Sequence, residues 1–545
     1  MIPSGYKEDT VFSAIPTDGS GDLSFTRASN GTRINSAGLV EVVPWNLLTY
    51  SSVLSDSSYT ISELSRTDSQ TDPNGGNTGA LFTGTSATNA YILKSFSTII
   101  GQVYTCSVYL KGNSSGSVSI RVDGAGTAPV NNVNYTTSYQ QFTYTFTADS
   151  TTSTLIIGGY NTWLGSEAIY VAFPQANIGS TAKPYFPTTD RLNVPRLTYQ
   201  NGGGGCPSLL LEKQSTNLLS YSEQFDDAVW SKNSASITAN TTTSPDGTTN
   251  ADTLTLTALS GHIAQLLTKS ASAITYTLSC YIKAGTSSLA RISMSDYLTG
   301  QADGIINLST QTITASNGTW SSASASINNM GNGWYYCRLT ATSPINGFVF
   351  TKIQNDGANS TTIQIWGAQL EASSYPTSYI PTTSSSATRI VDVCSKTGIS
   401  SLIGQSEGVL FADVNIGQIN VASDRGIISV GVNGAGYTSA IYVSLYNNDI
   451  YLIGFVGGTP QFTGISKTIP SIGRYKIAVA YKQNDFVMYI NGEQIGTRTS
   501  GNIPSTLSVF GIGNINTGFY GDFEINQTAI FPTRLSNSDL QALTA

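Results

Sequence analysis

Asn46-Leu47-Leu48-Thr49-Tyr50-Ser51 returns as Asn217-Leu218-Leu219-Ser220-Tyr221-Ser222, and this repetition decides how the chain is divided. The match extends backwards: Gly38-Leu39-Val40-Glu41 leads into the first copy and Leu209-Leu210-Leu211-Glu212 into the second. It also extends forwards. Tyr104-Thr105-Cys106-Ser107-Val108-Tyr109-Leu110-Lys111 matches Tyr276-Thr277-Leu278-Ser279-Cys280-Tyr281-Ile282-Lys283, and Tyr185-Phe186-Pro187-Thr188-Thr189 matches Tyr379-Ile380-Pro381-Thr382-Thr383. A module of domain size therefore occurs twice. Duplicated modules build an extended surface, which suits binding or spacing better than a single catalytic pocket.

Helical periodicity is nearly absent from the chain. Alternating apolar and polar stretches recur between clusters of Gly, Asn, Asp and Ser, a pattern that predicts an all-β protein of tandem antiparallel β-sandwiches. The 545 residues leave room for about three or four domains. Residues 1–46 read as a leader, 47–189 as the first module, 190–216 as a connector with a glycine run at 202–205, and 217–385 as the second module. The second module carries an extra segment between Asp296 and Trp334, read as a longer hairpin or loop. From 388 to 545 the texture changes: Tyr475, Ile477, Val479 and Tyr481 alternate, Asn491-Gly492 predicts a hairpin turn, and Ser536 with Asp539 predicts the cap of one short closing helix.

Charged residues make up only 11% of the chain, but hydrophobic residues reach 39% and aromatics 10%, enough apolar mass for several cores. The net charge of −7, with no Lys/Arg cluster, argues against nucleic acid as a partner. No run approaches the roughly 20 apolar residues of a membrane span, and the N-terminus lacks the basic start and apolar stretch of a secretory signal. The five Cys, odd in number and without a C-x-x-C, argue against a disulfide or zinc framework. In the repeat, Cys106 aligns with Leu278 and Cys280 with Val108, so both read as small core residues.

The leader Phe25-Thr26-Arg27-Ala28-Ser29-Asn30-Gly31-Thr32-Arg33-Ile34-Asn35, ending at Gly38-Leu39-Val40-Glu41, resembles tailed-bacteriophage virion fibre and spike proteins, head or tail fibre. Asn193-Val194-Pro195-Arg196-Leu197 through Leu211-Glu212 to Thr216-Asn217-Leu218-Leu219 is similar to the same group, with glycines where such proteins often carry an acidic patch before the Cys. Both modules resemble carbohydrate-binding jelly rolls in the opening Asn-Leu-Leu, the strand ending Tyr-Leu-Lys or Tyr-Ile-Lys, and the closing strand Ile365-Trp366-Gly367-Ala368-Gln369-Leu370-Glu371. The first module closes with Val171-Ala172-Phe173-Pro174-Gln175-Ala176 instead. The last module resembles a concanavalin A-like or laminin-G-like sandwich at Arg474–Tyr481, Tyr489-Ile490-Asn491-Gly492 and Gly521-Asp522-Phe523-Glu524-Ile525. That resemblance implies glycan or protein binding, often with calcium.

Sugar recognition needs aromatic faces beside amide and hydroxyl groups. Trp163 and Tyr160, in the Gly-flanked loop 159–165, Trp320 in the extra segment, and Tyr437 and Tyr520 in the last module are the candidate ligand-binding residues. Trp334 and Trp366 read as core, and Trp45 as packing at the start of the first module. No catalytic residue is assigned. His262 is the only histidine and reads as a surface or packed residue. Asp226-Asp227 reads as a solvated loop or edge pair, and Asp522 and Glu524, alternating on one strand face, could serve as acid and base for glycoside hydrolysis, with a structural role the preferred reading. No metal is assigned. Asp68, Asp72, Asn74 and Asn77, with the approximate counterpart Asp246, Asn250 and Asp252, are oxygen-rich enough for calcium, but ordinary Asx turns are the preferred reading.

Together these readings give a non-enzymatic phage virion fibre, assembled in the host cytoplasm and displayed on the virion surface. Its leader attaches to a capsid or tail protein, its modules bind host-surface or environmental glycans, and it assembles as a homo-oligomer, dimer or trimer. The competing readings are a polysaccharide depolymerase tailspike and a purely structural capsid decoration.

Overall fold

A computed structural model describes residues 4–7, 10–13, 23–85, 90–98, 100–124, 130–159, 167–188, 194–200, 203–296, 300–515 and 518–545. The chain forms two compact units, Val42–Asn193 and Met1–Glu41 with Val194–Ala545.

The first unit is the first module. One five-stranded antiparallel sheet runs, edge to edge, Gln140–Thr147, Val103–Gly112, Ala168–Ile178, Gly79–Gly84, Leu64–Gln70; the other runs Asn131–Tyr135, Gly116–Asp123, Thr152–Gly158, Tyr91–Ser97, Thr60–Ser62. Tyr104, Cys106, Val108 and Leu110 alternate into the core, where they meet Val118, Ile120 and Val122 of the opposite sheet. The repeated motif is a clasp. Asn46 Nδ2 donates to the carbonyls of Pro174 (3.3 Å) and Phe186 (2.9 Å), while its Oδ1 accepts from the Leu48 and Ala176 amides. Ser51 Oγ meets the Tyr185 hydroxyl at 3.0 Å, and the Thr188 amide donates to Ser51 Oγ at 3.0 Å. The opening segment of the module is thereby fixed to its closing strand.

The second unit contains the second module, whose sheets have six strands each. They run Ser231–Asn233, His262–Thr268, Phe348–Asn355, Leu289–Ser295, Gln301–Asn307, Thr312–Ser316, and Ala235–Thr242, Ala251–Leu256, Thr362–Glu371, Thr275–Ala284, Trp334–Thr342, Ser321–Gly331. Of the two alternatives read for it, hairpin and loop, the extra segment is the hairpin. It supplies the edge strands Thr312–Ser316 and Ser321–Gly331, one to each sheet, and Trp320 stands between them. The clasp recurs: Asn217 Nδ2 donates to the Ala368 (3.1 Å) and Ile380 (2.9 Å) carbonyls, and Ser222 Oγ meets the Tyr379 hydroxyl at 2.6 Å. In both closing strands the register shifts at one left-handed residue, Phe173 (φ 54°) or Gly367 (φ 63°). Glycine takes that conformation without strain, whereas phenylalanine is strained there. The Phe173 ring stacks on Tyr185 at 4.0 Å.

The third sandwich is not a continuous stretch of chain. Its first seven-stranded sheet runs Arg196–Thr198, Ser208–Leu211, Phe523–Phe531, Glu407–Ile416, Gly473–Lys482, Asp485–Ile490, Glu493–Arg498. Its second runs Ser24–Thr26, Val393–Thr397, Val509–Ile512, Val421–Gly431, Ala440–Asn447, Asp449–Val456, Thr459–Thr468. The leader therefore contributes one strand and the connector two. Phe25, Leu197, Leu209 and Leu211 enter the same core as Ile428, Val430 and Ile512. The domain boundaries read from the sequence change accordingly: residues 24–26 and 196–211 belong to the last sandwich. The Asn491-Gly492 turn has positive φ at both residues (49° and 79°), as a type I′ hairpin requires. Asn537–Thr544 is helical with a capping box between Ser536 and Asp539. Leu540 packs it on Val409, Phe411, Ala478 and Ala480.

Leader, connector and the segment after the second module meet in a buried ionic cluster. Arg27 donates to Asp392 at 2.9 Å. Arg196 donates to Asp392 and, at 2.8 Å, to Glu212. Arg389 lies 3.5 Å from Glu212 and 3.9 Å from Asp392. The three guanidiniums and Asp392 are fully buried. Burial alone would raise the Glu212 carboxyl, but Arg389, Arg196 and the Ser378 hydrogen bonds hold it down to about 2.

Breaking a buried ion cluster from one side leaves charge uncompensated, at a cost of about 3–5 kcal/mol. Asp392→Ala is expected to lose stability on that order in urea unfolding of the full chain; a loss below about 1 kcal/mol would contradict the role given to the cluster. Glu212 titrates lower folded than its ordinary 4.5. Its contribution is therefore complete above pH 4.5 and declines as the pH falls toward 2. Melting temperature in that window should fall more steeply for the wild type than for Glu212→Gln.

Candidate functional site

Strand alternation in the last sandwich sorts its side chains cleanly. Along Ala440–Asn447, Ile441, Val443 and Leu445 face the core, leaving Tyr442, Ser444 and Tyr446 on the outer face. Along Asp449–Val456, Ile450 and Leu452 face inward, and Tyr451, Ile453 and Phe455 outward. Register sets Tyr442 opposite Ile453 and Ser444 opposite Tyr451. The Tyr442 and Phe455 rings lie parallel, 2° apart in plane with centroids 6.2 Å apart.

The short 3-10 helix Gly436–Ser439 then brings Tyr437 edge-on to Phe455 at 5.8 Å and to Phe519 at 5.3 Å. Tyr437 is 43% exposed and Phe519 39% exposed. The Tyr451 hydroxyl donates to Asp424 at the edge of this face. Burial, helped in each case by Asp424, raises the Tyr442 and Tyr451 phenols, so both stay protonated donors. The result is an open aromatic platform rimmed by a carboxylate and hydroxyls, which can accept the C–H face of a ring and orient its polar substituents.

Of the residues singled out in the sequence, Tyr437 lies at the centre of this platform. Tyr520 follows Phe519 and is half-buried. Trp163 and Tyr160 lie outside the described residues. Trp320 is a correction: it is 3% exposed and belongs to the core of the second module, because the added edge strands fold over it. Trp230, Trp334 and Trp366 are buried, and Trp45 packs edge-on against Phe186 at 4.4 Å while donating to the Pro184 carbonyl. Sequence reasoning missed Phe455, Phe519, Tyr442 and Tyr451. The alternation around Tyr442 and Tyr451 was the available signal, whereas Phe519 is brought in by a distant loop.

His262 is half-buried, with Nδ1 3.1 Å from the Ser260 carbonyl and its ring edge-on to Phe350. The Asp227 carboxylate accepts from the Val229 amide in a local turn. Asp522 and Glu524 do not act as a pair with shared hydrogen-bond partners. Asp522 accepts from the Lys213 amide and the Tyr375 hydroxyl, and Glu524 from Asn415 Nδ2.

The oxygen-rich loops do not fit calcium. Asp72 accepts from the amides of Asn74, Gly76 and Thr78 and from the Thr78 hydroxyl, and Asp68 pairs with Arg66. Asp246 accepts from Ser244 and Thr248, and Asp252 from the Phe225 and Asn240 amides. These carboxylates are turned to N–H and O–H donors rather than to a cation. Among the described residues, no group of three or more His, Cys, Asp or Glu is placed to hold a metal ion.

No protein-family model matches the chain, and no curated protein matches it. Among solved structures, it is similar to the Ruminococcus gnavus IT-sialidase CBM40, at 13% identity over 27% of this chain and 91% of that one, TM-score 0.23. It is similar to domains LG4-5 of the mouse laminin α1 chain, at 9% identity over 52% of this chain and 90% of that one, TM-score 0.19. It is also similar to Trypanosoma rangeli sialidase, at 10% identity over 95% of this chain and 98% of that one, TM-score 0.22. The third similarity corrects the sequence reading of a non-enzymatic chain: a sialidase stands among the matches, so that reading is withdrawn. At such TM-scores none of the three assigns an activity.

One titratable group outside the platform has a measurable consequence. Glu223 accepts from the Tyr379 hydroxyl and Asn250 Nδ2, and desolvation, reinforced by Asp246, pushes its carboxyl up to about 8. Folded Glu223 therefore keeps its proton where the unfolded chain has lost it, and stability falls as the pH rises from 4.5 toward 8. Glu223→Gln is expected to raise the melting temperature near pH 8 and leave it unchanged below pH 4.5; equal effects at both would show that the carboxyl does not titrate as placed.

Proposed function

We propose that the chain is a glycan-binding protein that takes sugar rings on the Tyr437–Phe455–Phe519 face of its last sandwich. The observation that carries this reading is the open aromatic face itself. Two rings at the surface of a folded domain, braced edge-on by a third and bordered by Asp424 and tyrosine hydroxyls, form a contiguous apolar patch with a polar rim. Such patches mark interaction sites. The β-sandwich architecture of all three modules fits this reading, as do the carbohydrate-binding module and laminin G domains among the similar structures.

The finer reading is a head or tail fibre of a tailed-bacteriophage virion, resting on the motif around Arg27 and its second version around Arg196. On this reading the protein sits at the virion surface as a homo-oligomer, and weak single sites gain strength through many copies. On this reading the leader, residues 1–46, docks to a capsid or tail protein, while its strand Ser24–Thr26 also belongs to the last sandwich.

Retention of purified protein on a glycan array tests the binding face. An aromatic contact is worth about 0.5–1.5 kcal/mol, so Tyr437→Ala and Phe519→Ala should each weaken retention by about two- to tenfold. Retention unchanged in both variants would defeat the proposal. Reducing ends released from the arrayed polysaccharide would favour the depolymerase reading instead.

A further inference from the structure

The outer face of the other sheet in the last sandwich is divided in two. One half is apolar and lies under the C-terminal helix, with Leu540 on Val409, Phe411 and Ala478. The other half is an open cleft of about 690 Å³ on the strands Ser208–Leu211, Phe523–Phe531, Glu407–Ile416 and Gly473–Lys482. Inward alternation sends Val414, Ile416 and Ile525 to the core, so the cleft floor is built from the intervening polar residues.

These polar residues hold one another in place across the strands. Asn526 Nδ2 donates to Asp413 (3.0 Å) and to Asn415 Oδ1 (3.2 Å), while Asn526 Oδ1 accepts from the Ser208 hydroxyl at 2.6 Å. Asn415 Nδ2 donates to Glu524 at 3.1 Å, and Arg474 Nε donates to Asp413 at 2.7 Å. Amides and carboxylates thus stand in a fixed row on rigid strands. Ile472, 58% exposed, and Pro207 add small apolar walls. The guanidinium is engaged by Asp413, which leaves the Glu524 carboxylate as the unbalanced charge.

We propose that this cleft is a second saccharide site, selective for neutral, hydroxyl-rich sugars, in which the Asn415, Asn526, Asp413 and Glu524 side chains bind vicinal hydroxyls. Amide and carboxylate atoms held 3.0–3.2 Å from one another across the strands can share hydrogen bonds with adjacent sugar hydroxyls, each of which both donates and accepts. The excess of carboxylate repels sialate or uronate groups. One sandwich then presents two different subsites on its two sheets, an aromatic platform and a polar cleft, and engages a glycan surface at both. The cleft stands on its own geometry and does not depend on the aromatic face.

Cys206 supplies a native reporter. It is an exposed thiol at the wall of this cleft, whereas Cys106, Cys280, Cys337 and Cys394 are buried. Burial pushes the Cys280 and Cys394 thiols up to about 12, which keeps them unreactive. The full chain is treated with iodoacetamide, with cello-, malto- and manno-oligosaccharides and sialyllactose each present at millimolar concentration, and alkylation of Cys206 is followed by peptide mass spectrometry.

At least one neutral oligosaccharide is expected to slow the reaction severalfold and sialyllactose to leave it unchanged. Asn526→Ala, and independently Asn415→Ala, should abolish the protection while circular dichroism stays that of the wild type. Protection by none of the neutral oligosaccharides, equal protection by sialyllactose, or protection that survives both substitutions would overturn the proposal. Array retention of Tyr437→Ala reports the aromatic face separately, so failure of one site is distinguishable from failure of the other.

Discussion

The buried cluster of Arg27, Arg196, Arg389, Glu212 and Asp392 is the constraint on which the second unit depends. Its members come from the leader, the connector and the segment after the second module, so residues hundreds of positions apart must be in place before the cluster is complete. Three guanidiniums face two carboxylates. Backbone and hydroxyl groups meet part of the remainder, Arg196 donating to the Thr32 carbonyl and Ser378 Oγ and Arg27 to the Ser29 carbonyl, whereas the Arg389 guanidinium has ionic neighbours but no hydrogen-bond partner. Ion clusters out of reach of water contribute little net stability when complete and cost a great deal when broken. Such an arrangement serves registry: only the correct threading of leader and connector against Asp392 satisfies it.

That registry explains the repeated motif better than ligand binding does. Glu41 and Glu212 occupy matching positions in the two copies, and each is paired with an arginine of its own hairpin, Arg33 at 2.9 Å and Arg196 at 2.8 Å. Asn46 and Asn217 then make the same four hydrogen bonds in their respective modules. The strongest sequence signal in the chain is therefore structural. It specifies how each jelly roll is shut, and the polar residues it uses are spent on backbone groups that burial would otherwise leave unsatisfied.

Local features were legible in the sequence. The matched segments Tyr104–Lys111 and Tyr276–Lys283 lie on the strands Val103–Gly112 and Thr275–Ala284, the Asn491-Gly492 hairpin follows from turn chemistry, and the Ser536 cap from the spacing to Asp539. Long-range features were not. Nothing local marks Phe25 or Leu197 as belonging to a core completed at Ile512, and charge matching between Arg27 and Asp392 has no sequence period. Trp320 was misplaced for a related reason. Its Gly-containing neighbourhood reads as a loop, but the strands on either side join opposite sheets, and the residue between them closes the gap over the core. Tyr437 was singled out as a candidate ligand-binding aromatic, but its bracing partner Phe519 was not.

Aromatic richness by itself does not identify a sugar-binding face, and this chain contains the control. The second module gathers Tyr281, Trp334, Trp366 and Tyr379 on the outer face of one sheet, a denser cluster than the platform around Tyr437. That face is closed by the leader: Ile34 and Val40 pack on it, the Val40 amide donates to the Pro245 carbonyl, and the Thr32 hydroxyl donates to the Tyr379 carbonyl. Its rings are accordingly fully buried and serve as a second core. In the last sandwich the corresponding question, what lies over the sheet, has two answers. The helix covers the apolar half of one face, and the remaining polar half and the opposite aromatic face stay open. The difference between core and site is therefore set by which chain segment is available to cover each face, a matter of topology and not of composition.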